Sequence, residues 1–346
     1  MIEITSYRTE DAYFAARNGH RGFESRFDKV FMPRDFQKIF ILKGGPGTGK
    51  STLMRGLVSF ANSTGLPCEA ILCSSDTSSL DGVIVRNGKL RVAVIDGTAP
   101  HATDPKYPGT VEEIVDLGEG FDISRLESAR DEILRLSTDK SAAYSAAYRA
   151  LGEAGDEFNT IWSELRDSDL YSEADEIANE LATGESEAKN TPLNNEIIYS
   201  AFGKSGYFRL PLAGGIPCVN FVGHPLVCAL SASLMLRALR SKNAVVRIAR
   251  SALDDRLIDR IYTAERVYTF CEGDDAAVDL GDLSLPERAR CDYEKYTKLL
   301  SGAKEHFADA SRFHFALEGI YRECVDFTHN DRIFEHLRGR ITDYLA

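Results

Sequence analysis

QKIFILKGGPGTGKSTLM, residues 37–54, decides how this chain is read. The apolar run Ile39-Phe40-Ile41-Leu42 is a buried-strand signal, and Ser51-Thr52-Leu53-Met54-Arg55-Gly56-Leu57 has the apolar spacing of a helix. Between them Gly44, Gly49, Lys50 and Ser51 satisfy G-x-x-x-x-G-K-[ST], in the strand, loop, helix setting that this pattern requires.

The chemistry explains each residue type. Glycines accept positive φ, so consecutive backbone N–H groups can turn inward and form a nest for a phosphate. The expected cradle comprises Gly44, Gly45, Pro46, Gly47, Thr48, Gly49, Lys50, Ser51 and Thr52. Lys50 adds a mobile cation between β- and γ-phosphates, and the helix N-terminus adds partial positive charge. The Ser51 hydroxyl is a hard ligand for Mg²⁺. ATP with Mg²⁺ is therefore the expected cofactor pair.

Outward from this loop, Cys68-Glu69-Ala70-Ile71-Leu72-Cys73 reads as a second strand and Leu90-Arg91-Val92-Ala93-Val94-Ile95 as a third, ending in Asp96. A strand that delivers a carboxylate at its C-terminal end suits the metal's water shell opposite Ser51, so Asp96 is the Walker B candidate and, with Lys50, the catalytic pair. Many P-loop ATPases place a glutamate directly after that aspartate to polarise water; here the next residue is Gly97. Asp76, Asp81, Glu112 and Glu113 are the candidates for a general base, with solvated surface carboxylates as the plainer reading. The segment 97–109, GTAPHATDPKYPG, has three prolines and cannot continue a regular element. It should border the crevice, where His101 and Lys106 are candidates to touch phosphate or substrate.

From about residue 123 to 187 the pattern turns helical, with Leu126, Ile133 and Leu136, an Ala- and Tyr-rich run, then Phe158, Ile161, Trp162 and Leu165. A lid or docking surface is expected. Residues 218–240, CVNFVGHPLVCALSASLMLRALR, then repeat the layout of the opening stretch: an apolar strand, a Gly-x-Pro turn, and a helix opening with Ser-Leu-Met. Residues 244–249 match the second strand, Ile258-Asp259 parallels Leu80-Asp81, and 267–273, VYTFCEG, parallels 92–97. A helical tail follows from about Tyr293 to Tyr344. The pattern predicts an internal duplication with one intact and one eroded loop, since Leu226-Val227-Cys228-Ala229-Leu230 would fill the phosphate volume. The expected fold is α/β, a mostly parallel P-loop NTPase-type sheet flanked by helices and duplicated. Residues 1–200 form the nucleotide half (core 1–122, helical insertion 123–200) and 201–346 the degenerate half.

Composition bounds the function. The 346 residues carry 41 Lys+Arg against 53 Asp+Glu, a net charge of −12, which argues against an electrostatic grip on nucleic acid. Seven cysteines without a CxxC pair exclude zinc-ribbon and redox motifs, and read as core thiols of a reducing compartment. No signal peptide or membrane span is expected, so the reading is cytoplasmic, with no membrane partner.

Asn18-Gly19-His20-Arg21-Gly22-Phe23, KGGPGTGKSTLM, Ser79-Leu80-Asp81-Gly82-Val83 and above all IDGTAPHATDPKYPGTVEEIVDLGE together resemble an uncharacterised bacterial family of tandem P-loop ATPase-like proteins. The resemblance covers residues 14–121 and implies ATP with Mg²⁺ at residues 44–52 and Asp96; it implies no substrate. This chain departs from the family's two-loop pattern at residues 223–233. Three functions follow as expectations: an ATPase coupled to conformational change, a P-loop kinase acting on a small molecule, and a nucleotide-gated binding module with negligible turnover. A GTPase is disfavoured because no NKxD-type motif is present. An arginine finger from Arg237, Arg240, Arg247 or Arg250 would need a half-to-half contact or a homo-oligomer.

Overall fold

The computed structural model describes residues 11–183, 195–212, 214–272 and 277–346, so residues 184–187 of the expected helical region and Gly273 lie outside the described residues. The first series of elements is β1 (Ala12–Phe14), a hairpin of β2 (Ala16–Gly19) and β3 (Gly22–Ser25), α1 (Phe27–Val30), β4 (Lys38–Lys43), α2 (Lys50–Thr64), β5 (Cys68–Leu72), β6 (Leu80–Asn87), β7 (Leu90–Asp96) and β8 (Glu112–Asp116). The helices α3 (Ile123–Ser128), α4 (Arg130–Arg166) and α5 (Asp169–Ala182) follow. The second series is β9 (Asn195–Ile198), a hairpin of β10 (Ser200–Gly203) and β11 (Gly206–Arg209), β12 (Cys218–Val222), α6 (Pro225–Ser241), β13 (Arg247–Arg250), β14 (Ile258–Tyr262), β15 (Val267–Phe270) and β16 (Val278–Asp279). It ends in α7 (Glu287–Arg322) and α8 (Phe327–Leu345).

Twelve strands form one sheet in the order β16-β12-β15-β14-β13-β9-β1-β5-β6-β7-β4-β8. Read outward from its middle, the order is the same on both sides: β1-β5-β6-β7-β4-β8 against β9-β13-β14-β15-β12-β16. Strand directions correspond as well, pair by pair. The two blocks join through the antiparallel pair β1 and β9, registered at Phe14 and Ile198. Six of the eleven pairings are parallel, so the sheet is mixed and mostly parallel. Apart from the β1–β9 join, the antiparallel content comes from β6, which lies between β5 and β7, and from β14, which lies between β13 and β15. The run Leu80-Asp81-Gly82-Val83-Ile84-Val85 is buried throughout, as expected of a central strand covered on both faces.

Local signals set the helix ends. Gly49 at φ 85 caps the start of α2 and Gly65 at φ 73 its end, where the Gly65 N–H reaches the carbonyls of Ala61 and Asn62; glycine takes this left-handed conformation without a Cβ penalty. Buried Leu53, Met54, Leu57, Val58 and Ala61 give α2 one apolar face.

The long helices are exchanged between blocks. α4 and α7 run antiparallel, with Tyr148 against Phe307 and Phe158 against Tyr296. Beyond that seam, α5 lies on α6 of the second block, where Ala174, Ala178 and Ala182 permit close approach. In the mirror arrangement α8 lies on α2 of the first block, with Leu337, Ile341 and Leu345 in its core. Each of those three side chains contributes on the order of 1.5–3 kcal/mol of burial. The hairpins are also exchanged. Gly19 lies so close to the carbonyls of Ala252 and Leu253 that a Cβ would sit 2.7 Å from both oxygens, and Gly203 stands likewise over Ser75, 2.8 Å from its oxygen.

The expectation of seven core thiols fails in two ways. Cys228 on α6 and Cys271 after β15 are disulfide-bonded, a pairing made by the packing of α6 over the sheet rather than by sequence spacing. Cys218 and Cys291 are exposed. Among the described residues no helix is long and apolar enough to cross a membrane.

Candidate functional site

Parallel strands carry their following loops to one edge of the sheet, and here β4, β7 and β8 end side by side. Leu42 is registered with Asp96 and Lys43 with Asp116, so the glycine-rich loop leaves the sheet between two carboxylates. Gly44, Gly47 and Gly49 have φ of 153, 72 and 85, in the region that favours glycine. Thr48 Oγ1 donates to the Gly45 carbonyl at 2.9 Å and ties the loop's base.

Lys50 folds back over this loop. Its Nζ donates to the carbonyls of Gly44 at 3.1 Å and Gly45 at 2.8 Å, and lies 3.8 Å from Asp96 Oδ2. The other oxygen of Asp96 accepts from the N–H and hydroxyl of Thr98, at 2.9 and 2.6 Å. Ser51 Oγ accepts from Arg55 Nη2 and from the Leu80 N–H, both at 3.0 Å, which ties the helix start to β6. The first-turn amides of α2 have no intrahelical acceptors, so this corner combines a lysine, a helix N-terminus and an acid. The structure thus brings Lys50, Ser51 and Asp96 together with the loop. It also explains Gly97: a Cβ there would sit 2.2 Å from Ile41 Cγ2, so no glutamate fits after Asp96.

The general-base candidates are all engaged. Glu112 is buried and accepts from the N–H groups of Lys106 and Tyr107 at 2.6 and 2.8 Å, holding the proline-rich loop. Glu113 pairs with Lys38 and Arg340, and those cations hold its carboxyl below the usual range despite partial burial. Asp76 binds Lys204 at 2.8 Å, and that lysine with Ser78 keeps its carboxyl ionised to lower pH against the cost of burial. Asp81 lies 3.0 Å from His101 Nε2, both side chains buried. His101 stacks on Phe27 with ring centroids 4.5 Å apart, so it is packed into a wall of the first block. Lys106 is exposed. The arginine-finger candidates sit elsewhere: Arg237 pairs with Asp175, Arg250 with Glu196, and Arg247 lies over the ring of Tyr199.

Sequence reading missed the residues that roof the loop. A Cβ on Gly47 would lie 2.5 Å from the Glu318 carbonyl oxygen, one on Gly45 2.9 Å from the Tyr321 ring, and Asn330 Nδ2 donates to the Thr48 carbonyl at 2.7 Å. These come from the joint between α7 and α8, nearly 300 residues away in sequence, with no local motif to announce them.

The corresponding corner of the second block is different. Only Gly223 and His224 separate β12 from α6, and the His224 ring caps the helix by accepting from the Leu226 N–H at 3.2 Å. Burial and nearby Arg290 lower the pKa of His224, which suits a neutral, accepting imidazole. Phe221 is registered with Phe270, so a buried phenylalanine occupies the position that Asp96 holds beside Leu42. Glu272, which the parallel of 267–273 with 92–97 would set against Asp96, instead pairs with Arg260. Ser233 sits more than two turns inside α6, so the Ser-Leu-Met likeness does not align with the helix start.

Comparison with protein-family models, with curated proteins and with solved structures gives no match, so the site is read from its own geometry.

Proposed function

We propose that this chain binds ATP with Mg²⁺ on residues 44–52 and hydrolyses it, coupling the nucleotide state to the packing of the helices that roof the loop. The observation that carries the reading is the position of Lys50, held by the Gly44 and Gly45 carbonyls at the N-terminus of α2 and 3.8 Å from Asp96. That arrangement supplies backbone N–H groups, a cation and a carboxylate at one corner of the sheet edge. The donor set suits the metal: a hydroxyl and a carboxylate are hard oxygen ligands, and among the described residues no cluster of three His, Cys, Asp or Glu offers a complete protein cage. Ser51 and Asp96 would hold Mg²⁺ together with phosphate oxygens and water, and the ion's charge would neutralise the phosphates. For Ser51 to turn a lone pair to the ion, Arg55 or the Leu80 N–H has to release it.

A second reading, transfer of the γ-phosphoryl group to a small molecule, draws on one specific observation: of the four carboxylates considered as a base for water, Glu112, Glu113 and Asp76 are already bonded, and Asp81 is buried facing His101 at 3.0 Å. The same observation fits slow turnover and a nucleotide-gated switch. We also infer that the two strand blocks descend from one duplicated unit of about half the chain, with the phosphate loop kept only in the first; the matching strand order supports this.

Titration with ATP, ADP and GTP in Mg²⁺, combined with phosphate-release assays with and without metabolite acceptors, tests the reading. ATP should bind, and Lys50→Ala should weaken it at least about 100-fold, equivalent to about 2.7 kcal/mol. Absence of ATP binding by the unaltered chain at millimolar concentration would sink the proposal.

A further inference from the structure

α4 carries a continuous buried stripe, Leu136, Ala147, Leu151, Ala154, Phe158, Ile161 and Leu165, at the three- and four-residue spacing of a packed helix face. Between Leu136 and Ala147 the same spacing passes through Lys140 and Tyr144, so a lysine stands where the pattern calls for an apolar residue. Lys140 is half-buried and forms no ion pair or hydrogen bond among the described residues. Tyr144, one turn further, reaches Ser75 and lies near Cys73, Asp76 and Asp81 at the carboxyl edge of the first block. Tyr144 and Tyr148 pack edge-on against Phe307 of α7, and the antiparallel run of the two helices then carries Lys140 toward Glu318, whose carbonyl stands over Gly47 of the loop. Burial and the charge of Lys50 both lower the pKa of Lys140.

Two ammonium groups on one crevice, one of them half-buried without a counter-charge, repel each other and cost free energy unless an anion joins them. Asp96 answers one of the two at most, and it also serves Thr98. The loop orients any polyphosphate: Asp96 marks the metal-bearing, terminal end, and α4 passes over that same edge through Tyr144.

We propose that Lys140 is a second phosphate-binding residue, which reaches from α4 to the terminal phosphate of a nucleoside triphosphate held on the loop beside Lys50. This rests on the nucleotide reading of the loop. It makes α4, which continues into the helices covering the second block, a direct sensor of whether the third phosphate is present. A long lysine stem that simply carries its charge out to water is the competing account.

The test compares unaltered chain, Lys140→Met and Lys140→Arg by equilibrium titration with ATP·Mg²⁺ and ADP·Mg²⁺, alongside melting temperatures without nucleotide. The expected result is a preference for ATP over ADP that falls about tenfold in Lys140→Met and stays within about threefold in Lys140→Arg, as loss of one charge-assisted contact predicts. Lys140→Met should melt no lower than the unaltered chain, because it removes an unpaired cation. An unchanged ATP/ADP ratio in Lys140→Met, with ATP still bound, overturns the proposal and leaves the loop reading intact. Failure of the unaltered chain to bind either nucleotide overturns both.

Discussion

The two strand blocks share an order, a set of directions and a helix after the fourth strand, yet their crevices have almost nothing in common. In the first, six residues separate β4 from α2; in the second, two separate β12 from α6. The first has Asp96 at the strand end where the second has Phe270, and the first has Gly97 where the second has Cys271, whose N–H donates to the Phe221 carbonyl as Gly97 donates to that of Leu42. At the helix start a left-handed Gly49 faces the capping His224. The frame of a strand and its helix therefore tolerates replacement of nearly every group an anion would touch. What it retains is the packing: both blocks keep the apolar helix face and the covering helix from the other side of the molecule.

If the covering helices are what the blocks truly share, removing one should harm the whole molecule. Phe158 is fully buried between α4 and the second block's core, and Phe158→Ala should cost about 3–5 kcal/mol. Chemical denaturation followed both by a probe in residues 11–122 and by one in residues 218–285 should give a single coincident transition; separate transitions would show that the blocks fold independently.

A smaller effect distinguishes the two hairpin contacts. Asp254 is held by Arg256 and by His20 of the first block's hairpin, and Asp76 by Lys204 of the second block's hairpin. Both carboxyls titrate below their ordinary value of 3.8, because these partners and hydrogen bonds outweigh burial. Each thus contributes stability that is present above about pH 4 and is lost as pH falls through its folded pKa. Melting temperatures from pH 6 to 3 should drop, and Asp254→Asn should lose about 2 kcal/mol at pH 6 against about 1 for the more exposed Asp76→Asn, each with a shallower acid slope. Equal losses would remove the distinction between the two contacts.

The smallest expected effect is Asn330→Ala. It deletes the hydrogen bond to the Thr48 carbonyl and should cost about 1 kcal/mol. On the proposed reading it should also alter ATP affinity measurably, whereas Asn220→Ala, in the middle of β12 of the second block, should leave it unchanged.

Much of the first block was legible in the sequence because its signals are local. The strand, glycine loop and helix of residues 39–57, and the strand ending at Asp96, follow from composition and spacing alone, and the structure has them at those positions. β6 was harder: Gly82 and Asp81 interrupt its apolar run, and only Val83, Ile84 and Val85 hint at a central strand. The exchange of helices was not legible, since an apolar stripe on α5 or α8 says that a face is covered and never by which partner. Register was equally hidden: it sets Phe270 opposite Phe221, where sequence likeness favoured Glu272. Lys140 had a signal of its own, a charge within a stripe of apolar spacing, which emerges only when the helix is read as one continuous element from Arg130.

The location of α8 bears on how the chain is made. Leu337, Ile341 and Leu345 complete the core that also holds Ala12 and Phe14. The outer face of α2 therefore stays uncovered until α8 has been synthesised, after every element between them. Its apolar residues must wait through that interval, so completing the first block's core is a late closure between segments far apart in sequence.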